Sequence, residues 1–330
     1  MLKVRLLPLP PALPSDQAMK SWGPNRHSYD PEMWEFEYEL SRYLENLPDD
    51  ALVERHVSID RNLTRLVSRE RDVIPINSFL SSWYWYRKEH QTRLELLLRK
   101  ISPAVPHLTA VPSNDGADVP VCPKFPNAGD VLFRFGESRY MLPLVERGVI
   151  RIGPASQYVA GMPGDPRTDD ELRKHSFLPG RHTRVTTQSG HEIPVIGDLR
   201  RTASSVDYYV LCMACGYHPS LFADFKTDTC VIIKNADEFA RRMERATMSQ
   251  LPGWYYHYNP LQYFDPYEMG RNEVFDPLMS KHFSFAYQME YRFVWFSLQG
   301  VPATGYRDLD VGPLEDIAFI HRGHSAQGEV

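Results

Sequence analysis

The chemistry-bearing stretch of this chain is Lys281-His282-Phe283-Ser284-Phe285-Ala286-Tyr287-Gln288-Met289-Glu290-Tyr291-Arg292-Phe293-Val294-Trp295-Phe296. It reads as one long strand, on which successive side chains point to opposite faces. One face then carries Phe283, Phe285, Tyr287, Met289, Tyr291, Phe293 and Trp295, and must be packed. The other carries Gln288, Glu290 and Arg292 before turning apolar at Val294 and Phe296. A carboxylate so placed either pairs with Arg292 in the sheet or lines a cleft. In a cleft, a fixed carboxylate stabilises a cation that forms beside it. A second polar intrusion is Arg134, a lone guanidinium in the apolar run Val131-Leu132-Phe133-Arg134-Phe135-Gly136. Burying it is costly unless it meets an anion. That anion is either Glu290 or a phosphate or carboxylate of a ligand, which the planar guanidinium fork recognises well.

Three other groupings compete. Cys212, Cys215, His218 and Cys230 come close to zinc-site spacing. Two cysteines three apart on a strand face opposite ways, so they read as packing residues and no metal is expected. Asp169-Asp170-Glu171 reads as the acidic start of a short helix, where it balances the dipole. The alternative is a contact to ribose hydroxyls or a basic acceptor. Residues 55–100 hold ten Lys and Arg against five Asp and Glu, with Trp83-Tyr84-Trp85-Tyr86 among them. That combination suits single-stranded nucleic acid, a partner protein, or a solvated helix whose aromatics pack inward. There is no Walker loop, dinucleotide glycine fingerprint, nucleophile elbow or His-Glu-x-x-His.

The elements that must position these residues divide at a proline-rich join. Asp30-Pro31 opens a helix carrying Phe36, Leu40, Tyr43, Leu44 and Leu47, which Pro48 ends. A second helix is expected from about Asp60, with Leu63, Leu66 and Val67 on one face, until Pro75. Asn77 would cap a third, running to about Lys100. Six prolines between residues 103 and 126 then mark a linker. The expected domains are therefore 1–101 helical, 102–129 linker and 130–330 α/β. In the last, strands are expected at Val131–Phe135, Val149–Ile152, Val206–Ala214, Cys230–Lys234, Trp254–Phe264, Phe283–Phe296 and Ile317–His321. Helices are expected at Ser138–Arg147 and from an Asn235 cap to Met248. Residues 154–204 read as loop, with a weak helix near Asp169–Lys174.

Composition bounds the function classes. With 42% hydrophobic and 24% charged residues the chain is globular rather than disordered. A net charge of −5 argues against coating nucleic acid by bulk charge. No apolar run is long enough to span a membrane, and the proline-broken start MLKVRLLPLPPALP, with no small-residue cleavage site, is not expected to act as a signal peptide. Four cysteines make no disulfide framework, so a cytoplasmic location is expected.

An arginine on the first strand and Gln-x-Glu on a late strand resemble the arginine-serine-glutamate branch of the ADP-ribosyltransferase superfamily, over residues 130–320. The block Phe-Ala-Tyr-Gln-x-Glu-x-Arg is also similar to one in an uncharacterised bacterial domain family. The first resemblance implies a split, mostly antiparallel α+β sheet following the N-terminal helical domain. It implies that NAD is the co-substrate, held by Arg134 with Phe135 and Gly136 beside it. Glu290 would bind the nicotinamide-ribose 2′-hydroxyl and stabilise the oxocarbenium ion, while Gln288 orients an amide or nucleobase acceptor on protein, RNA or DNA. Tyr158 would stack on the nicotinamide. The family's middle strand usually carries Ser-Thr-Ser. The corresponding stretch Val206–Cys215 lacks it, and Cys212 is the nearest counterpart of the missing serine. The implied function is macromolecular mono-ADP-ribosylation by a cytoplasmic bacterial toxin or anti-phage effector, restrained by an antitoxin-type partner. A non-catalytic nucleotide sensor and an NAD glycohydrolase are the alternatives.

Overall fold

The computed structural model describes residues 3–6, 31–66, 82–102, 130–158, 170–268 and 276–323. The proline-rich join, Val67, Pro75, Asn77 and Asp169 lie outside the described residues.

The α/β part is a mixed, mostly antiparallel assembly. Its main sheet contains β2 (Leu132–Gly136), β3 (Val149–Pro154), β8 (Tyr209–Ala214), β9 (Thr229–Ile233), β10 (Tyr255–Pro260), β13 (Glu290–Phe296), β14 (Arg307–Asp310) and β15 (Ala318–Arg322). The strand order is β10-β13-β8-β2-β9-β15, with β3 also pairing β8 and β14 pairing β3. Period-2 patterning sends alternate side chains to two cores. Leu132, Leu211, Met213, Val231, Ile233, Tyr291, Phe293 and Trp295 pack with α4 (Ser138–Arg147) and α6 (Ala236–Gln250) on one face. Phe133, Ala214, Cys230 and Ile232 face the other way. There they meet Ile59 and Leu66 of α2 (Asp49–Leu66) and Tyr84 and Trp85 of α3 (Ser82–Leu98). Helices α2 and α3 and the sheet thus share one core. Tyr84 and Trp85 are buried in it, as are the cations Arg55 and Lys88. These four residues are consequently not part of an exposed nucleic-acid platform.

The sheet parts at β8. β2 meets it at one register pair, Phe133 with Ala214. β3 meets it at Gly153 with Val210 and Pro154 with Tyr209. Among the described residues no strand pairs that edge at Leu211, Cys212 and Met213. β13 runs along the opposite edge, from Glu290 with Ala214 to Trp295 with Tyr209.

Several expectations need correction. The long strand is interrupted: Phe283–Gln288 forms a 3-10 turn, Met289 takes a left-handed conformation (φ 49°), and β13 starts at Glu290. Aromatics at every second position satisfied an alternation rule, but they pack from the turn instead. Lys281 belongs to the short β12 (Ser280–His282). Among the described residues 170–174 there is no helix. Asp170 accepts hydrogen bonds from the Leu172 and Arg173 amides, and β4 (Arg173–Leu178) follows. Residues 154–204 are not mere loop, since they also contain β5 (Thr183–Thr186), β6 (Glu192–Ile193) and β7 (Leu199–Ser204). The aromatic run near residue 260 is two strands, β10 and β11 (Gln262–Phe264). In the helical part, α1 (Pro31–Ser41) stops before Leu44, where Arg42 takes φ 35°. Helix α2 begins at Asp49, well before Asp60, and α3 ends at Leu98. An edge strand, β1 (Lys3–Leu6), pairs with β5. The cap at Asn235 is as expected: its side chain accepts from the Glu238 amide at 3.0 Å.

Candidate functional site

The gap in the sheet opens a cleft of about 1140 Å³. Its lining includes every residue singled out for the co-substrate and the reaction: Arg134, Phe135, Gly136, Tyr158, Cys212, Gln288 and Glu290. It also includes Glu171 and Lys281.

Arg134 reaches across the gap and donates from Nη1 to the Cys212 carbonyl, the acceptor left open where β2 and β8 diverge. This settles one alternative raised by the sequence: Arg134 is not the salt-bridge partner of Glu290. Gly136 follows, where a Cβ would lie 2.7 Å from Met141 Cε and the methionine would have to move.

Glu290 is buried and doubly held. Arg292 Nε donates to its Oε1 and Lys281 Nζ to its Oε2, each at 2.8 Å. Burial alone would raise the carboxyl pKa, but Arg292 and Lys281 overcome that and hold it well below the usual carboxylate range. Lys281 also donates to Gln288 Oε1 at 3.2 Å, which ties the two residues of the Gln-x-Glu motif to one ammonium. The Glu290 amide donates to the Tyr263 hydroxyl at 2.8 Å. Met289 fixes the bend between them: its carbonyl accepts from the Cys215 amide, and its side chain occupies the space left by Gly216.

Glu171 closes the network. Its carboxylate lies 2.9 Å from Arg292 Nη1, 3.4 Å from Lys174 Nζ and 3.5 Å from Lys281 Nζ. Lys174, Lys281 and Arg292 therefore face two carboxylates, Glu171 and Glu290, all five side chains being almost fully buried. The Arg292 Nη2 atom is buried without a hydrogen-bond partner. Of this network Lys281, Glu171 and Glu290 line the cleft, where Arg134 joins them; over the whole lining Arg134, Arg139, Arg147, Arg151 and Lys281 face Glu137, Glu171, Glu290 and Asp308, one more cation than anion. The Cys212 thiol sits in this field, its pKa pushed up by burial and by Glu290. Tyr158 lies close by, and burial together with Cys212 raises its hydroxyl pKa.

Sequence reasoning missed Lys281 and Glu171 as members of the site. Lys281 was visible at the edge of the aromatic run, but only the 3-10 turn brings it back over Glu290. Glu171 was read as dipole compensation, although it sits two residues before a strand with alternating burial. Cys215 donates to the Met289 carbonyl at 3.2 Å and Cys230 is buried, so both take part in packing. Among the described residues no group of three His, Cys, Asp or Glu side chains could hold a metal. Among them, too, no helix is long and apolar enough to cross a membrane.

Comparison with family models, with curated proteins and with solved structures gave no match. The functional reading therefore rests on the residues themselves.

Proposed function

We propose that the protein is an NAD-dependent mono-ADP-ribosyltransferase acting on a macromolecule. The observation that carries this reading is the shared cleft, in which Arg134 and Glu290 stand on strands separated by β8 alone and are not paired with each other. The strand between them, β8, carries Cys212. The Arg134 guanidinium in the lining suits a diphosphate ligand, and the volume accommodates a dinucleotide.

In this mechanism NAD supplies the C1′–N glycosidic bond that breaks. Nicotinamide leaves with the bonding electrons, the acceptor forms a new bond to C1′, and the acceptor's proton passes to solvent. Glu290 is ionised at neutral pH and stabilises the positive charge developing on the ribose. Lys281 and Arg292 fix its position, and Arg134 orients the phosphates or the ribose. Gln288 presents an amide toward the acceptor, while the Tyr158 ring lies at the cleft for stacking. A cytoplasmic toxin or anti-phage effector of this kind needs restraint, so an antitoxin-type partner belongs to the same proposal.

One observation favours a second reading, a nucleotide sensor without turnover: both Glu290 oxygens are already engaged by Lys281 and Arg292. Incubation with labelled NAD and lysate separates the two. Labelled protein or nucleic acid supports transfer, while free nicotinamide without labelled macromolecule makes the protein a glycohydrolase. Saturable NAD binding without nicotinamide release makes it a sensor. Absence of NAD binding overturns both, and Arg134→Gln should weaken binding if either is right.

A further inference from the structure

The cleft is larger than one small ligand requires: its volume of about 1140 Å³ lies above the roughly 300–1,000 Å³ of ordinary small-molecule sites. Its inner end is the charged floor. Its outer margin is built by α4, β3 and the approach to β14, and presents Arg139, Tyr140, Arg147, Arg151 and Tyr306. Tyr140 and Tyr306 are 54% and 62% exposed. Each carries a guanidinium on its ring: Arg139 lies 4.8 Å from the Tyr140 centroid and Arg151 lies 5.8 Å from that of Tyr306. The Tyr306 ring lies over Gly153, where a Cβ would come 3.0 Å from it. Arg139 and Arg151 also pair with Glu137 and Asp308, but both pairs stand in solvent. Exposed pairs of this kind are weak and yield readily to a phosphate.

We propose that this margin binds single-stranded nucleic acid. Bases stack on Tyr140 and Tyr306 while Arg139, Arg147 and Arg151 follow the phosphates. Resting on the transferase reading above, the acceptor is then a nucleobase delivered along the margin to Glu290 and Gln288. Duplex is disfavoured because its bases are already stacked on each other.

The test is fluorescence anisotropy without NAD, using labelled oligothymidylate and oligouridylate of about 16 nucleotides and a duplex of equal length, at about 50 mM salt. The expected result is binding of one or both single strands, with the duplex at least about tenfold weaker. The variant Tyr140→Ala/Tyr306→Ala should lose about tenfold or more. Arg147→Gln/Arg151→Gln should flatten the salt dependence by about 0.7 per lost phosphate contact. No single-strand binding, or binding indifferent to both tyrosines, overturns the proposal, as does tyrosine-dependent binding of an acidic peptide in preference to either oligonucleotide. A protein that releases nicotinamide but binds no oligonucleotide sinks the platform alone. One that binds oligonucleotide but never consumes NAD sinks the transferase reading and leaves the platform standing.

Discussion

Lys281 Nζ lies 2.8 Å from Glu290 Oε2 and 3.2 Å from Gln288 Oε1, so one buried ammonium orients both residues of the Gln-x-Glu pair. A strand could not have done this. The 3-10 turn and the left-handed Met289 fold the chain back so that β12 and the start of β13 face each other. The same contact gives Glu290 a structural role, whatever chemistry the cleft performs.

Glu290→Gln is accordingly expected to be unstable as well as inactive. It leaves Glu171 as the one carboxylate against three buried cations, and breaking a buried pair from one side costs about 3–5 kcal/mol. The charge-balanced double variant Lys281→Met/Glu290→Gln removes one cation and one anion together. It should recover much of that loss and still show no transfer. Denaturant titration of the two single variants and the double variant gives the coupling energy directly. Equal stability of the wild type and Glu290→Gln would mean that the network is not closed as described.

The acid limb of the stability profile should carry the same signature. The folded-state pKa of Glu290 is depressed below its ordinary 4.5, and that of Asp265 below 3.8. A depressed carboxyl contributes stability that is fully present above its unfolded pKa and is lost as pH falls through the folded one. Thermal midpoints should therefore hold from neutrality to about pH 5 and fall steeply below it. In Asp265→Asn that slope should be shallower, from a lower starting stability. A slope unchanged by the substitution would remove Asp265 from the acid transition.

The part of the site legible in the sequence was its least conventional chemistry. Arg134 stood out because a guanidinium breaks an apolar strand, and Glu290 because it interrupts an aromatic run. Both line the cleft. What stayed hidden depended on packing. Phe283, Phe285 and Tyr287 alternate as well as any strand would, yet Tyr287 and Phe283 are held by Asn62 of a helix more than two hundred residues earlier in the chain. Glu171 stood out only as part of an acidic cluster, and its role was hidden because its neighbours Lys281 and Arg292 arrive from distant segments. The edges of α1 and α2 were misjudged for a simpler reason: Arg42 turns the chain in a left-handed conformation that no glycine announces.

The helical segment and the sheet should unfold in a single transition. Asp265, just after β11, accepts from Arg55 Nη1 and Nη2 at 2.8 and 2.7 Å, and Lys88 Nζ lies 2.8 Å from its Oδ2. All three are buried between α2, α3 and the strand ends. Asp265→Ala leaves two buried cations without an anion and should cost about 3–5 kcal/mol. Far-ultraviolet ellipticity and tryptophan fluorescence should shift together. Two separated transitions would show that the helices fold independently of the sheet.

Asn62 offers the most specific handle on how the helices position the site. Fully buried on α2, it donates from Nδ2 to the Phe283 carbonyl at 2.8 Å and accepts from the Tyr287 amide at 2.9 Å. It thereby closes the 3-10 turn that ends at Gln288. Asn62→Ala leaves a buried donor and a buried acceptor unmade and should cost about 1–3 kcal/mol for each group left unsatisfied. Asn62→Asp keeps an acceptor for Tyr287 but cannot donate to Phe283. The two variants should therefore separate in hydrogen exchange: the Tyr287 amide loses protection in Asn62→Ala and largely keeps it in Asn62→Asp, although both are destabilised. If the turn positions Gln288 for an acceptor, Asn62→Ala should also reduce transfer more than NAD binding, because Arg134 on β2 does not depend on the turn. Equal loss of both would make Asn62 a stability residue alone.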